Sequence, residues 1–436
     1  MKQSFAFFLF VVTVTGCRTS TSPGLFSKKT PHEVYGKKIS DAGLQSTELG
    51  RAWFAAASAA VALPVSVNKP YKEAGFFSAE KPGSTGLRFA VTRGEKLQIS
   101  ISRKPASSKI YLDLWEQDTS RAATPKLIAS SDTTGLAIQQ EIDKTGFYIL
   151  RVQPELLQDC EYTIEIAAVA SLAYPIRAPG KNHTKSFWGV DRDGGSRRHE
   201  GIDMFAARLT PVVAAANGRV TRVNMNNLGG KVVWMRPENK NYTLYYAHLD
   251  SQLVQDGQQV RTGDTLGLMG NTGNARTTAP HLHFGIYAMG GAIDPFPFVN
   301  PSYPVPVDIR SDLRSIGKAA RTDGRNIMIF STPDIKSPSV QLPVNTLVKL
   351  DAAADNWYRV TLPGGEKGFI RESGTKNLDP VKSFTLNSGL KLLAAPDSLS
   401  PVKQQLEKGT RVQQLALYKN YQFISTSDNT KGWITL

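Results

Sequence analysis

The stretch Gly218-Arg-Val-Thr-Arg-Val223, with Lys231-Val-Val-Trp-Met235 and Thr243-Leu-Tyr-Tyr-Ala247 after it, decides the fold of the middle of this chain. Valine and aromatic residues dominate these short runs, as they do in β-strands, and Asn/Gly turns separate them. Signals for the start or end of a helix are absent around them. We therefore predict an all-β domain over residues 186–300.

This domain holds four of the six histidines of the chain, in three short clusters. The clusters are His199-Glu-Gly-Ile-Asp203, Tyr246-Ala-His248-Leu249 and His281-Leu-His283-Phe284. Residues two apart on a strand project to the same face, so His281 and His283 are expected to point together. Residues 199 and 203 are four apart, and the glycine between them lets the backbone turn so that both side chains reach one ion.

Two histidines and one carboxylate leave a coordination position open, which is the pattern of a catalytic rather than a structural zinc. Zinc-bound water loses a proton near neutral pH and attacks a carbonyl that the metal polarises. Spacing alone leaves open which histidine of the 281/283 pair binds the metal. The other one and His248 are candidates for the base and for the stabiliser of the developing oxyanion. One histidine alone is weak evidence, but the three motifs in this order are a specific signal.

The three motifs resemble those of lysostaphin-type zinc metalloendopeptidases, peptidoglycan hydrolases with the duplicated hybrid motif fold. Further matches to that family are Pro211-Val-Val-Ala-Ala215, Gly218-Arg-Val220, Gln259-Val-Arg-Thr-Gly-Asp264-Thr-Leu-Gly267 and Gly270-Asn-Thr-Gly273. The resemblance implies a groove on an antiparallel sheet. It also implies cleavage of peptide bonds in peptidoglycan, at stem cross-links or bridges, by attack of a metal-bound water.

The same resemblance implies a role for each site residue. His199, Asp203 and His283 would bind one Zn²⁺ per active site, and His248 and His281 would be catalytic. Some members carry a tyrosine shortly before the first zinc ligand that assists the transition state. The residues from Asp191 to Arg198 include no tyrosine, so that role has no candidate here.

The N-terminus has the composition of a signal peptide, with a basic residue followed by an apolar run too short to span a bilayer. Val14-Thr15-Gly16-Cys17 resembles the lipobox of bacterial lipoproteins, which implies cleavage after residue 16 and acylation of Cys17. The resemblance thus predicts an exported lipoprotein of the cell envelope, anchored to a membrane. Arg18 replaces the aspartate that often retains lipoproteins inside, so an outer-membrane location facing the periplasm is expected if the cell has two membranes.

The remaining segments divide into a tether, a helix and three β modules. We expect a tether over 17–38 and a helix over 39–64 that is capped by Ser40 and ended by Pro64. Alternating apolar residues predict an antiparallel β-sandwich over 68–170, and the stretch from Gly146 to Leu157 resembles the last strands of the jelly-roll modules often found beside secreted peptidases. A linker is expected over 301–325.

The C-terminal third contains an internal repeat. Pro333-Asp334 and Gly368-Phe-Ile370 recur about 64 residues later as Pro396-Asp397 and Gly432-Trp-Ile434. Each unit resembles the bacterial SH3-like barrels that bind cell-wall peptides, which predicts barrels over 326–374 and 383–436. The overall prediction is a mainly β, multidomain protein.

Charge and composition bear on the partners. The formal charge of +15 suits an acidic polymer or an anionic surface, although a scattered surplus of basic residues explains it equally well. No run of Lys and Arg is dense enough to indicate nucleic acid, so peptidoglycan and a membrane are the expected partners. Two alternatives stay open: a non-catalytic regulator that activates cell-wall amidases, and a secreted protease acting on proteins. The pattern does not indicate an oligomeric state.

Overall fold

The computed structural model describes residues 29–117, 124–180 and 182–435, and β-strands dominate it, as predicted. The expected signal segment 1–16 and the expected lipidation site Cys17 lie outside the described residues. Within those residues, no helix combines the length and the apolar character needed to cross a bilayer.

Two helices precede the first strand, α1 (Pro31–Asp41) and α2 (Glu48–Ala62). The side chain of Thr30 accepts a hydrogen bond from the backbone N–H of Glu33, and the Glu33 carboxylate accepts one from the N–H of Thr30. This capping box starts a helix inside the segment predicted as a tether, because it satisfies two backbone donors at once.

The prediction of one helix over 39–64, capped by Ser40, is therefore wrong. Gly43 adopts a left-handed conformation with φ of 70°, which ends the first helix and redirects the chain. The second helix is capped instead by Thr47, whose side chain accepts a hydrogen bond from the N–H of Gly50.

The N-terminal strands form two sheets. They are β1 (Val65–Ser66), β2 (Tyr71–Phe77), β3 (Thr85–Val91), β4 (Glu95–Lys104), β5 (Ile110–Gln117), β6 (Lys126–Ser131), β7 (Ala137–Glu141), β8 (Gly146–Pro154) and β9 (Cys160–Ala170). One sheet has the order β1-β3-β8-β5-β6, and the other contains β2-β9-β4-β7. Apolar residues from both sheets form one buried core.

The central domain is built on an antiparallel sheet with the order β10-β13-β20-β17-β16-β15-β18. Its elements are β10 (Thr184–Ser186), β11 (Asp191–Arg192), β12 (Arg197–Arg198), β13 (Ile202–Phe205), β14 (Pro211–Val213), β15 (Gly218–Asn226), β16 (Gly230–Pro237), β17 (Tyr242–Gln252), β18 (Gln259–Val260), β19 (Thr265–Met269), β20 (His281–Ala288), β21 (Gly291–Ile293) and α3 (Phe296–Val299). Leu172 and Ile176 are buried in its core, so the domain begins before residue 186.

The C-terminal third forms two further groups of strands. The first contains β22 (Ala319–Thr322), β23 (Ile327–Phe330), β24 (Ser339–Leu342), β25 (Leu347–Ala354), β26 (Trp357–Thr361), β27 (Lys367–Arg371) and β28 (Thr375–Asn377). The second contains β29 (Lys382–Thr385), β30 (Leu390–Leu393), β31 (Val402–Leu406), β32 (Arg411–Tyr418), β33 (Tyr421–Ser425) and β34 (Lys431–Thr435). Strand β22 pairs with β25 and β28, so the linker predicted to reach residue 325 ends before β22.

The first C-terminal group shares a sheet with the N-terminal unit. Strand β2 pairs with β9 on one side and with β25 on the other. At this junction Nε and Nη2 of Arg359 donate to the two carboxylate oxygens of Glu73, at 3.0 and 3.1 Å. Glu73 is 0% exposed and Arg359 5%. The hydroxyl groups of Tyr71 and Tyr162 also donate to this carboxylate. We call the unit formed by strands β1–β9 and β22–β28 the composite body.

The buried ion pair of the composite body gives a stability prediction. Arg359→Met leaves the Glu73 carboxylate buried without a cation, which costs about 3–5 kcal/mol when one partner of a buried pair is removed. We expect a lower denaturation midpoint, measured by circular dichroism in urea.

Two controls accompany this variant. The double variant Glu73→Leu/Arg359→Met is expected to regain most of the lost stability, because apolar replacement of a whole buried pair is often neutral. Arg314→Met removes an arginine from an exposed pair with Asp312 and is expected to leave the midpoint unchanged. An Arg359→Met protein as stable as the wild type contradicts the prediction.

Candidate metal centre

Strand pairing brings the predicted site residues together on one face of the central sheet. Strands β13 and β20 are antiparallel, with Asp203 opposite His283 and Phe205 opposite His281. His199 lies just before β13 and is 2% exposed. The two histidines of β20 point to the same face, as their spacing predicted.

Three ligand atoms converge at this point. Nε2 of His199, Oδ1 of Asp203 and Nδ1 of His283 lie 3.0 Å from one another in all three pairs. Among the described residues, these three side chains form a group that could hold a metal ion. Ligands bound to zinc at 2.0–2.1 Å in tetrahedral geometry lie about 3.3 Å apart, so the triangle has nearly the size that zinc requires.

The ring orientation of His199 supports a cation rather than a hydrogen bond at the centre of this triangle. Its Nδ1 donates to the backbone carbonyl of Phe187 at 2.9 Å. A neutral ring with its proton on Nδ1 has only a lone pair on Nε2, and that lone pair points at the triangle. The donor set of two imidazoles and one carboxylate therefore fits zinc.

His248 and His281 present their rings to the same space. Nδ1 of His248 donates to the carbonyl of Thr272 at 2.8 Å, and Nδ1 of His281 donates to that of Ala279 at 2.9 Å. The two ring centroids are 4.9 Å apart. Each ring thus keeps Nε2 available for proton transfer.

Burial and neighbouring charges shift the acid–base properties of the cluster. Burial, together with the adjacent His281 and His283, lowers the pKa of His248 to about 4, so this ring is neutral at pH 7. Burial also lowers the pKa of His283. The Asp203 carboxylate accepts a hydrogen bond from the guanidinium group of Arg192 at 2.6 Å, which favours its ionised form. The carboxylate is therefore ionised, as a metal ligand must be.

A bulge in β17 brings His248 into the site. The pairing of β17 with β16 shifts between Lys231 and Val233, and His248 has a positive φ of 63°. Tyr246 and Leu249 are both buried in the core below the sheet. Strict alternation would place residue 248 on the same side as 246, so the extra residue is what turns the histidine to the opposite face. The sequence gives no sign of this bulge.

All five site residues line one open cleft of about 750 Å³. Three aromatic side chains form part of its wall, with Tyr245 4.2 Å from Trp234 and 5.9 Å from Tyr287 between ring centroids. Arg192 also lines the cleft, and its Nη2 donates to Oδ2 of Asp203 at 2.6 Å. The sequence did not predict this contact, because no spacing rule links position 192 to position 203.

Comparison with known proteins agrees with this geometry. Residues 197–295 match the family model described as Peptidase family M23. The chain contains an M23 peptidase domain. The resemblance of the central segment to lysostaphin-type peptidases is thereby confirmed.

Three relatives illustrate the match. The chain is 38% identical over 97 residues to a protein of Vibrio cholerae named Peptidoglycan DD-endopeptidase ShyC, covering 22% of each chain. It is 34% identical over 137 residues to the L-Ala–D-Glu endopeptidase of Bacillus subtilis, covering 29% of this chain and 42% of the relative. The solved catalytic domain of lysostaphin from Staphylococcus simulans is 31% identical, covering 26% of this chain and 90% of that one, with a TM-score of 0.25. The chain thus spans less than half of these two curated relatives.

Close packing at Gly201 gives a testable prediction about the metal centre. A Cβ at this position would lie 2.6 Å from Cε1 and 2.7 Å from Nε2 of the His283 ring. Gly201→Ala is therefore expected to displace His283 and to weaken zinc binding on the order of 10- to 100-fold, measured by competition with a chromophoric chelator.

The matched control is Gly146→Ala, where an added Cβ meets nothing within 4 Å. This variant is expected to bind zinc as the wild type does. Unchanged zinc affinity in Gly201→Ala would show that the ring position is not set by this contact.

Proposed function

We propose that this protein is a zinc-dependent metalloendopeptidase that hydrolyses peptide bonds in peptidoglycan, at stem cross-links or bridges. The observation that carries the proposal is the 3.0 Å triangle of His199, Asp203 and His283 in one cleft with His248 and His281. The M23 match supports the reaction class, and the names of the two curated relatives support the substrate class.

The five site residues would have two kinds of role, metal binding and proton transfer. His199, Asp203 and His283 would hold the zinc, which would supply an activated water and a Lewis acid for the peptide carbonyl. His248 and His281 offer Nε2 atoms to the cleft, where a neutral imidazole would accept the proton of the attacking water and, once protonated, would donate it to the developing oxyanion or to the leaving amine.

The walls of the cleft suit a peptide that carries carboxylates. Arg197 lines the cleft together with the aromatic residues Trp234, Tyr245 and Tyr287. Cations attract the free carboxylates of stem peptides, and aromatic rings provide apolar contact area for the backbone and side chains. A non-catalytic regulator has no need of five preserved site residues, so catalysis accounts for the cleft better.

The proposal extends to the segments around the peptidase domain. Cys17 would carry acyl chains that hold the protein at a membrane of the cell envelope, facing the periplasm if the cell has two membranes. The two repeats over 326–374 and 383–436 would act as SH3-like wall-binding units. The lipobox and the duplicated Gly-aromatic-Ile pattern support these roles.

Substitution of the histidines tests the division of labour. His199→Ala is expected to lose both zinc and activity, whereas His248→Ala and His281→Ala are expected to keep zinc. In these two variants hydrolysis should fall by about 100-fold or more, the usual contribution of a general acid–base group. Defined cross-linked muropeptides serve as substrates, and mass spectrometry of the products identifies the bond that is cut.

His183→Gln serves as a control, because His183 contacts the backbone carbonyls of Phe205 and Pro179 and does not line the cleft. It should remain active. Full activity in His281→Ala, or activity that survives a strong chelator, refutes the proposed mechanism. Cleavage of proteins without cleavage of muropeptides would favour a general protease.

Labelling with a fatty-acid analogue in a bacterial host tests the lipid anchor. The wild type is expected to incorporate the label and fractionate with membranes, because two or more acyl chains are needed for stable anchoring. Cys17→Ser should remove both properties, with Cys160→Ser as the matched control that keeps them. A labelled Cys17→Ser protein contradicts the anchor.

A further inference from the structure

Arg192 reaches the metal centre from a hairpin rather than from the sheet. Strand β11 pairs with β12, and Arg192 stands opposite Arg197 in this hairpin. Nη2 of Arg192 donates to Oδ2 of Asp203 at 2.6 Å and to Oγ of Ser186 at 2.7 Å. A terminal guanidinium nitrogen carries two hydrogens, so both bonds can form together.

These contacts give the two oxygens of Asp203 different partners. Oδ1 belongs to the ligand triangle, and Oδ2 is held by Arg192. The pair is sheltered from solvent, since the Asp203 side chain is 8% exposed and that of Arg192 31%. A short charge-assisted bond in such surroundings fixes the rotation of a carboxylate.

Ser186 extends the contact to a second ligand. It pairs with Asp203 across β10 and β13, and its Oγ lies 3.3 Å from Nδ1 of His199. Arg192 therefore contacts one metal ligand, Asp203, directly. It also contacts Ser186, which lies beside a second ligand, His199. Outer partners of this kind set the orientation of metal ligands.

The orientation of Asp203 decides how many positions remain for substrate. A carboxylate that binds through one oxygen, with two histidines, leaves the fourth position of a tetrahedral zinc open. If the carboxylate rotates and binds through both oxygens, its second oxygen crowds that position, and an ion that keeps its water becomes five-coordinate. A cation that holds Oδ2 prevents the rotation.

We propose that Arg192 is a positioning residue that holds Asp203 as a one-oxygen ligand and so keeps a coordination position open. The proposal rests on the metal centre of the proposed function. In this role Arg192 acts through Asp203 and makes no contact with the reacting atoms.

Cobalt substitution tests the proposal without any turnover, because the absorption bands of Co²⁺ report its coordination number. Arg192→Gln removes the cation, and Arg192→Lys keeps the charge but loses the planar guanidinium geometry. Both variants are expected to show weaker visible bands than the wild type, as a second carboxylate oxygen raises the coordination number. Their zinc-loaded forms should show kcat lowered on the order of 10- to 100-fold with little change in KM.

Arg198→Gln is the matched control, since Arg198 lies exposed on the same hairpin and its loss changes the net charge equally. Its cobalt spectrum should equal that of the wild type. Wild-type bands in both Arg192 variants overturn the role of Arg192, while a wild type that takes up neither cobalt nor zinc overturns the metal centre itself. Thermal unfolding confirms that each variant is folded, and if Arg192→Gln is not, the lysine variant decides.

Discussion

The register between β13 and β20 is the constraint on which the site depends. The pairing that sets Asp203 opposite His283 also sets Met204 opposite Leu282 and Ile202 opposite Phe284. Those four apolar side chains are 0% exposed in the core beneath the sheet. A slip of one residue would move them into the cleft and the ligands into the core. Hydrophobic burial, at about 1.5–3 kcal/mol for each such side chain, therefore holds the ligands in place.

The sequence predicted the parts of the site that follow from local spacing. The i, i+2 relation of His281 and His283 fixes a common face on any strand, and the structure shows that face. The choice of His283 as the ligand needed the family resemblance, because the alternation treats both histidines alike. The sequence named His248 as a candidate, but local spacing could not predict its orientation, since that depends on a bulge that reverses the alternation of β17.

Contacts between distant segments could not be predicted. The pairing of β2 with β25 joins residues that are far apart in sequence, and alternation in either strand gives no sign of its partner. The same holds for Arg192 and Asp203, which meet because a hairpin folds over the sheet edge. The error in the first helix had a local cause, because Thr30 and Thr47, which are also favoured as cap residues, compete with Ser40.

The peptidase domain is inserted between the two chain segments that form the composite body. The chain enters that domain beside the place where it leaves it, since the N–H of Leu172 donates to the carbonyl of Phe298 at 2.8 Å. Glu73 and Arg359 are 286 residues apart. During synthesis, the edge of β2 and the Glu73 carboxylate therefore stay unpaired until residues up to Arg359 have emerged. The peptidase domain, whose own strands are contiguous in sequence, can fold in the meantime. Synthesis of β25 is thus the step that covers the edge of β2, and a chain cut short before it keeps an open strand edge prone to aggregation.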